Sequence, residues 1–284
     1  MSANLLPKTP AIKDWLASST QLLKAAGIPS AKLDAEIILC HTLRCRHTYL
    51  LAHDDEQLTP RQREIADARL QLRLDRTPIA YIIGHKEFYG RSFHVTPATL
   101  IPRPESETII TILKELFAQT SLSLHSQSKR LVDVGTGSGC LGISAKLELP
   151  ELDVTLTDIS RHALTIAEKN TKTLHADVTL LRGDLLSAYV FQADYIIANL
   201  PYVDPEWDRS PETEHEPDLA LFAAANGLSL IYKLIEQAPA RLALGGTLLL
   251  EADPRQHAAI IKFAKQHQFT LAEVRDFIVC LQKA

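Results

Sequence analysis

The sequence contains little that would direct the chain to a membrane, a secretory route or a metal. No apolar run approaches the roughly 20 residues that span a bilayer, and the first residues lack the basic and apolar regions of a signal peptide. The four cysteines show no C-x-x-C spacing and the eleven histidines no H-x-x-x-H spacing, so neither a disulfide framework nor zinc is indicated. We expect a cytoplasmic, metal-free monomer without membrane association.

An excess of positive charge is also missing. The formal net charge is −4, whereas a dedicated nucleic-acid binder usually carries a basic footprint, so we expect no stable complex with nucleic acid. Hydrophobic residues make up 46% of the chain and charged residues 23%, which is ordinary for a globular protein. The length of 284 residues is enough for two domains.

Residues 1–80 are predicted to form a helical domain that recognises the substrate. Helix starts follow Thr9, Ser30 and Thr59, where a capping residue or a proline stands at the expected place. Helical spacing predicts three core faces: Ile12, Trp15, Leu16, Leu22, Leu23 and Ala26; Leu33, Ile37, Cys40 and Leu43; and Ile65, Ala68 and Leu72. The arginines of the third helix are interpreted as a solvated face, with an acidic partner as the alternative: Arg61, Arg63, Arg69, Arg73 and Arg76.

The next segment, residues 81–104, is predicted to be a β-hairpin linker. Aromatic, β-branched and turn residues follow one another from Tyr81 to Val95, with two glycines among them. Prolines at 102 and 104 stiffen the chain before the next helix. A polar, serine-rich loop is predicted for residues 119–129.

From residue 105 to 284 strands and helices alternate, which predicts an α/β fold with a mostly parallel sheet. The last two strands are separated only by Arg275-Asp276, so they are expected to pair antiparallel. The strand candidates are Leu131–Val134, Val154–Thr157, Val178–Leu181, Tyr195–Ala198, Thr247–Glu251, Thr270–Val274 and Phe277–Leu281.

The first of these strands runs into a glycine loop and then a helix. Glycine at 135, 137 and 139 allows a sharp turn and a close approach of the backbone to a ligand. The G-x-G-x-G spacing differs from the dinucleotide fingerprint, and Asp133 could accept a hydrogen bond from the ammonium of an amino-acid cofactor. The candidate cofactor-binding residues here are Asp133, Gly135, Thr136, Gly137, Ser138 and Gly139.

Carboxylates end the next two strands. Asp158 lies about twenty residues beyond the loop, where a carboxylate can bind both ribose hydroxyls; its alternative is a cap for the helix at 161–169. Asp184 and Leu185 end the third strand, where an acceptor and an apolar side chain could hold an adenine. Together they predict an adenosine-bearing cofactor.

A buried strand also leads into Asn199-Leu200-Pro201-Tyr202. Pro201 cannot continue an inner strand, and ligands of open α/β sheets bind outside the carboxyl ends of strands. These four residues are therefore the candidate catalytic residues, and Asn199 is also a candidate for cofactor binding. The alternative is an ordinary strand-terminating turn.

On these motifs the chain resembles a class I S-adenosylmethionine-dependent methyltransferase, with a Rossmann-like, seven-stranded sheet whose last strand is antiparallel. More narrowly it resembles the HemK family of protein-glutamine methyltransferases. The resemblance covers nearly the whole chain, and the Arg-Pro-Glu-Ser-Glu stretch is similar to release-factor enzymes. The matching stretches are Asp34–Glu36, Pro78–Gly84, Glu87–Gly90, Leu100–Glu107, Asp133–Gly139, Asp158, Asn199–Tyr202, Glu216-Pro217 and Ala220-Leu221.

Three departures from the family pattern stand out. The family's Asn-Pro-Pro-Tyr is Asn-Leu-Pro-Tyr here, its Asp-Gly is Asn226-Gly227, and its arginine-containing end is Cys-Leu-Gln-Lys-Ala. The resemblance implies methyl transfer from S-adenosyl-L-methionine to the glutamine of the Gly-Gly-Gln loop of peptide chain release factors. It assigns acceptor roles to the Asn199 side chain and the carbonyl of residue 200, and Tyr202 offers a ring face for stacking.

Other functions remain open from the sequence alone. The same tetrapeptide suits a glutamine of a ribosomal protein or an exocyclic amine of a DNA or RNA base, which is planar and carries a similar NH2 group. Because Leu200 replaces the family's proline, a non-catalytic binding module that has lost its enzymatic activity is a further alternative. A nicotinamide-dependent oxidoreductase is disfavoured by the glycine spacing.

Overall fold

The computed structural model describes residues 9–120, 128–208 and 210–284, which form two compact units. The first unit contains the chain up to Gly84 and the segment Ser210–His215; the second contains the remainder. Most of the predicted serine-rich loop, residues 121–127, lies outside the described residues. Within the described ranges, no helix combines the length and apolarity needed to cross a membrane.

The first unit is helical. Thr59 caps its longest helix: the hydroxyl accepts from the N–H of Gln62, and the Gln62 side chain accepts in return from the N–H of Thr59. Pro60 occupies the first helical position, where no backbone donor is needed. The helices are α1 (Ile12–Ala25), α2 (Ala31–Leu43), α3 (His47–Ala52), α4 (Pro60–Leu74) and α5 (Ile79–Ile83).

The predicted core faces of these helices are partly wrong. Leu33 of α2 is 57% exposed, and Leu22 and Leu72 are also exposed. On α2 the buried apolar residues are Ala31, Ala35, Ile38 and Leu39. Helices α1 and α4 pack against α2. The face that α2 buries carries Ala35, whereas Leu33 lies on its exposed side.

The prediction of a solvated arginine face is wrong for Arg73. Its guanidinium is buried, with Nε 2.7 Å from Oδ2 of Asp34 and Nη2 3.1 Å from Oε1 of Glu212. A buried charge needs partners of opposite sign, and here two carboxylates supply them. Glu212 belongs to a short 3-10 helix, Pro211–His215, whose place in the helical unit was not predicted.

The second unit begins with a hairpin and continues as an α/β sheet. The stretch Tyr81–Gly84 was predicted as part of the hairpin linker, but it ends the short helix α5 instead. The division at 80 and 104 into functional segments stays a prediction. The elements are β1 (His85–Phe88), β2 (Arg91–His94), α6 (Glu107–Thr120), β3 (Arg130–Val134), α7 (Cys140–Glu148), β4 (Asp153–Asp158), α8 (Arg161–Leu174), β5 (Thr179–Arg182), β6 (Ala193–Ala198), α9 (Asp218–Leu221), α10 (Ser229–Arg241), β7 (Leu242–Glu251), α11 (Pro254–Lys265), β8 (Phe269–Arg275) and β9 (Ile278–Lys283).

The hairpin of β1 and β2 is anchored to the α/β sheet. Its turn is Tyr89-Gly90, both with positive φ as a two-residue hairpin requires. Phe88 and Phe93 are buried in the core on one side of the sheet. The Asn170 side chain accepts from the N–H of His94 at 2.7 Å and donates to its carbonyl at 3.0 Å. The hairpin of β1 and β2 is therefore part of the second unit.

The sheet has seven strands in the order β5-β4-β3-β6-β7-β9-β8. Strands β3 to β7 pair parallel, whereas β9 pairs antiparallel with both β7 and β8, so the predicted fold class is confirmed. All seven predicted strands are present, with β7 beginning five residues earlier than predicted. Side chains such as Ile196 and Ile197 are fully buried on opposite faces of the sheet, because successive residues of a strand point to opposite faces.

Candidate functional site

The site lies where the order of the sheet reverses. Strand β3 is the neighbour of both β4 and β6, with Val134 opposite Ala198, so the glycine loop after β3 and the turn after β6 emerge side by side. Ligands of open α/β sheets bind at such a reversal. A cavity of about 360 Å³ opens here. Eight predicted site residues line it: Gly135, Gly137, Asp158, Asp184, Leu185, Asn199, Leu200 and Pro201.

The glycine loop is folded back on strand β4. The N–H groups of Gly135 and Thr136 both donate to the carbonyl of Thr157 at 2.9 Å. Gly135 has a φ of +70° and Gly137 a φ of +55°, a region that side chains strongly disfavour. A Cβ on Gly137 would meet no atom within 4 Å, so the space beside it is available to a ligand.

Asp133 ties the loop to the helix that follows it. Its Oδ2 accepts from the Thr136 hydroxyl at 2.5 Å and from the N–H of Gly142 at 2.9 Å. Its Oδ1 is buried and has no hydrogen-bond partner among the described residues. Burial raises the pKa of Asp133 to about 6, although both hydrogen bonds lower it. Oδ1 is thus the atom left to accept from a cationic group.

Asp158 holds the same loop from the neighbouring strand. Oδ2 accepts from the N–H of Gly137 at 2.9 Å, and Oδ1 from the N–H of Ser160 at 2.8 Å. Burial raises the pKa of Asp158, although the hydrogen bonds from these backbone N–H groups lower it. The helix cap is Ser160, whose hydroxyl accepts from Ala163, so Asp158 is not the cap that the alternative required. Each carboxylate oxygen has a second lone pair that can accept from a ligand.

The third carboxylate, Asp184, has a basic partner. Lys233 forms an ion pair with its Oδ2, and both side chains are nearly half exposed, so this pair contributes little to stability. Leu185 is buried with a φ of +52°, and its carbonyl accepts from the hydroxyl of Thr157. An acidic acceptor and an apolar side chain therefore lie together on one side of the cavity.

On the other side, Asn199 is oriented by a serine from the linker. Its Nδ2 donates to Oγ of Ser106 at 2.9 Å, and Ser106 is buried in the 3-10 turn Pro104–Ser106. This contact uses the amide nitrogen, so the Oδ1 of Asn199 is the acceptor that remains for a ligand. An amide oxygen at this position can orient an N–H group of a substrate.

Two protein-family models match the chain. The PrmC N-terminal domain matches residues 14–84, and the methyltransferase small domain matches residues 111–215. The release factor glutamine methyltransferase of Deinococcus radiodurans is 35% identical over 247 residues, which cover 86% of each chain. That of Escherichia coli K12 is 33% identical over 270 residues, 94% of this chain and 92% of the relative.

The chain belongs to the release factor glutamine methyltransferase family. The resemblance predicted from the sequence motifs is thereby confirmed. Solved structures support the fold. A methyltransferase from Pyrococcus furiosus aligns with a TM-score of 0.50 at 18% identity, over 76% of this chain and 96% of that one. The 16S rRNA N2 G1207 methyltransferase of Thermus thermophilus, in complex with AdoMet and guanosine, also aligns with a TM-score of 0.50. Its identity is 17%, and the alignment covers 70% of this chain and 49% of that one.

Several motifs of the release factor glutamine methyltransferase family have a structural role in this member. Asp34 neutralises Arg73, and Glu107 accepts from the N–H of Tyr89 at 2.7 Å. The buried Glu216 accepts from the N–H of Ile101 at 3.1 Å and pairs with Arg103. Glu107 and Glu216 thus satisfy backbone donors of loops.

The first departure places a leucine at position 200, where the family has proline. Leu200 is only 3% exposed and packs in the core beneath the cavity. At the second departure, Asn226 and Gly227 have φ values of +56° and +80°. Asn tolerates this region as Asp does, so the exchange preserves the turn. A Cβ on Gly227 would lie 1.9 Å from the carbonyl oxygen of Tyr202.

Five predicted site residues do not line the cavity: Asp133, Thr136, Ser138, Gly139 and Tyr202. The Tyr202 hydroxyl donates to Oε1 of Glu251 at 3.1 Å, and the carbonyl of Tyr202 accepts from Gln256 at 2.8 Å. Burial raises the pKa of the Tyr202 hydroxyl, and Glu251 raises it further. The tyrosine is thus part of the framework behind the turn, and the stacking role predicted for its ring stays a prediction.

Sequence reasoning missed other residues of the site. Ile159, His162, Leu219 and Ala220 line the cavity, and Ser106 and Glu251 lie behind Asn199. Glu251 carried a signal: a charged residue directly follows the apolar run of residues 248 to 250 at the end of a predicted strand. The exposed Ile159 and Leu219 carried none, because isolated surface hydrophobics are common.

Proposed function

We propose that this protein transfers a methyl group from S-adenosyl-L-methionine to the side-chain nitrogen, N5, of the glutamine in the Gly-Gly-Gln loop of peptide chain release factors. The observation that carries the proposal is the orientation of Asn199, whose nitrogen is held by Ser106 while its side chain lines the cavity. Membership of the release factor glutamine methyltransferase family supports both the cofactor and the substrate.

The residues around the cavity fit the cofactor. Asp158 has free lone pairs for ribose hydroxyls, and Asp184 with Leu185 provides an acceptor and an apolar contact for adenine. Gly137 leaves open space beside the loop. The contact of Asp133 with the amino-acid ammonium stays a prediction, because its Oδ1 is a buried acceptor, unpaired among the described residues, of a residue that does not line the cavity. When bound, S-adenosylmethionine supplies an electrophilic methyl on a sulfonium, so that no metal is required.

The chain's own contribution is to orient a poor nucleophile. A carboxamide nitrogen shares its lone pair with the carbonyl group, and it carries two N–H donors. The Oδ1 of Asn199 accepts one of these N–H groups and the backbone carbonyl of Leu200 accepts the other. Two fixed acceptors hold the nitrogen towards the methyl group and stabilise the positive charge that develops on it. The nitrogen gains the methyl group as the carbon–sulfur bond of the sulfonium breaks and a neutral thioether leaves, and its surplus proton passes to solvent water.

Recognition of the folded release factor is assigned to the helical segment, residues 1–80, and to the hairpin linker, residues 81–104. No residue of the helices α1–α5 lines the cavity, and recognition of a large partner is the use that we assign to them. Ala98, Thr99 and Leu100 line the cavity from the linker, and we expect them to form one wall of a slot for the glycine-flanked loop. A cytoplasmic location and a monomeric state stay predictions.

The test is methyl transfer to purified, unmodified release factor. Intact-mass and peptide mass spectrometry should show one added methyl on the glutamine of the Gly-Gly-Gln loop. A release factor with alanine at that position should remain unmodified, and an isolated loop peptide should react more slowly than the folded factor. Incorporation of methyl into DNA, ribosomal RNA or a ribosomal protein, with none into release factor, would overturn the proposal.

The matched enzyme control is Asn199→Ala. It removes one acceptor for the reacting amide and leaves the glycine loop and Asp158 in place. We expect cofactor affinity within about threefold of the parent and methyl transfer reduced by at least ~100-fold, the scale of one preorganised polar contact in an active site. Substantial remaining activity would mean that Asn199 is only a turn residue.

A further inference from the structure

A buried glutamate ends the strand next to the Asn199 turn. Glu251 is the last residue of β7 and is 1% exposed. Strands β6 and β7 pair parallel with Ala198 opposite Leu250. Asn199, the first residue after β6, and Glu251, the last residue of β7, directly follow this pair. Glu251 is not among the residues that line the cavity. Its influence on a substrate must therefore pass through its neighbours.

Those neighbours are hydrogen-bond donors rather than cations. The Tyr202 hydroxyl donates to Oε1 at 3.1 Å. Burial raises the pKa of Glu251, and the Ser106 hydroxyl, the Tyr202 hydroxyl and the Asn199 amide lie close enough to lower it. Oε2 itself accepts no hydrogen bond of ordinary geometry from the described residues. Among those residues Glu251 forms no ion pair with lysine, arginine or histidine.

The three donors favour the carboxylate form of Glu251 against its burial, and a carboxylate can only accept hydrogen bonds. In that form Glu251 takes the hydrogen of the Ser106 hydroxyl, which leaves the oxygen lone pairs of Ser106 to accept from Asn199. The Asn199 amide then turns its NH2 group to Ser106, as observed. Its oxygen faces away from the carboxylate. A neutral residue at position 251 would not impose that direction.

We propose that Glu251 is a positioning residue that acts through Ser106 to fix the amide of Asn199 with its oxygen towards the substrate, and through the hydroxyl of Tyr202 to fix the turn. The proposal rests on the proposed function, because it assigns the Asn199 oxygen to the reacting amide. An amide of the opposite orientation would present two donors to a nitrogen that itself only donates, and the substrate would be repelled.

The central variant is Glu251→Gln, which keeps the shape and removes the charge. The amide of the new glutamine can donate a hydrogen bond to Ser106. The Asn199 amide is then free to flip, with its oxygen and nitrogen exchanged. We expect kcat to fall about 30-fold, within the range of a lost preorganised contact, with cofactor affinity unchanged. The melting temperature should stay equal or rise, because a buried charge no longer has to be desolvated. Unchanged kcat in folded Glu251→Gln would overturn the proposal.

Two variants of Ser106 test whether Glu251 acts on Asn199 through the Ser106 hydroxyl, an arrangement called the relay below. Ser106→Ala removes the hydroxyl and should lower kcat about 10-fold, whereas Ser106→Thr keeps a hydroxyl and should recover most of that loss. Both changes are made at the same buried position, so a purely structural effect would be larger for threonine, which adds a methyl group. Equal or greater loss of kcat in Ser106→Thr would contradict the relay.

A double-mutant cycle tests whether Glu251 acts through Asn199. In the Asn199→Ala background, Glu251→Gln should lower kcat by no more than about threefold, because the group it orients is already absent. If Glu251 and Asn199 contributed independently, the factors by which the two substitutions lower kcat would multiply, as they do for sites without coupling. Multiplication of the two losses would therefore overturn the proposal.

A second readout needs no methyl acceptor. The side-chain NH2 signals of Asn199 in a ¹H–¹⁵N spectrum, assigned by their loss in Asn199→Ala, should exchange slowly in the parent and faster in Glu251→Gln. If the parent does not methylate release factor but these signals behave as expected, the proposed function fails and the positioning role stands. If the parent is active but the signals do not change in Glu251→Gln, the positioning role fails alone.

Discussion

Leu200 packs directly against the glycine loop. Its Cδ2 lies 2.8 Å from the position that a Cβ on Gly135 would occupy, closer than such atoms approach in real structures. The two residues end neighbouring strands, β3 and β6. The first glycine of the loop is favoured by its backbone conformation, with a φ of +70°. A larger residue there would also displace the side chain of the leucine that replaces the family's proline.

This contact distinguishes two glycine variants. Gly135→Ala should lower the free energy of unfolding by about 3 kcal/mol. The positive φ accounts for about 1–2 kcal/mol of this, and the clash with Leu200 accounts for the rest. Gly137→Ala has the strain alone and should cost about 1–2 kcal/mol, while its methyl enters the cavity and weakens cofactor binding. Denaturant unfolding and titration calorimetry measure both. In a Leu200→Ala background the two glycine variants should become equally stable; a persisting difference would contradict the clash.

The second prediction concerns Leu200→Pro, which restores the family residue. The carbonyl assigned to the substrate is kept, so we expect kcat within about threefold of the parent. The buried side chain loses part of its packing, and the free energy of unfolding should fall by about 1–2 kcal/mol. Steady-state kinetics with release factor and urea unfolding check the two parts. A loss of kcat above tenfold in the folded variant would show that the leucine side chain itself contributes to activity.

Asp158 should be the main determinant of cofactor affinity. Asp158→Ala removes acceptors for two ribose hydroxyls and the bond to the N–H of Gly137. Binding of S-adenosylmethionine should weaken by roughly 2–4 kcal/mol if two charged hydrogen bonds are lost. Titration calorimetry on the folded protein measures this. Ser160→Ala, which removes the helix cap and leaves the carboxylate, is the control; equal weakening in both variants would remove Asp158 from the site.

The buried Asp133 should make stability depend on pH. Burial raises its pKa to about 6, above the ordinary value of about 3.9 in an unfolded chain. The folded state therefore binds more protons than the unfolded state between about pH 4 and pH 6, and stability falls as the pH rises through this window, by about 2–3 kcal/mol at most. Chemical denaturation of Asp133→Asn should show a flatter profile of stability against pH than the parent. An identical slope in Asp133→Asn would contradict a raised pKa.

The sequence by itself determined the local elements and much of the chemistry. Strand and helix alternation, the two-residue link before β9, and the residues that follow β3, β4, β5 and β6 all depend on short stretches of chain, where periodicity and turn residues act directly. Since carboxyl ends of parallel strands share one edge of a sheet, the predicted loops had to meet there. The glycine loop, Asp158 and Asn199 were predicted on that basis.

Only the tertiary structure decided which groups are partners. Asn199 meets Ser106 across 93 residues of chain, and Arg73 meets Glu212 across 139. Glu251 lies beside Asn199 because β7 is the neighbour of β6 in a parallel register. Leu33 is exposed because α2 buries a different face, with Ala35, Ile38 and Leu39. Such pairings depend on strand order, register and helix rotation. These are set by the packing of the whole domain, so no local pattern of residues encodes them.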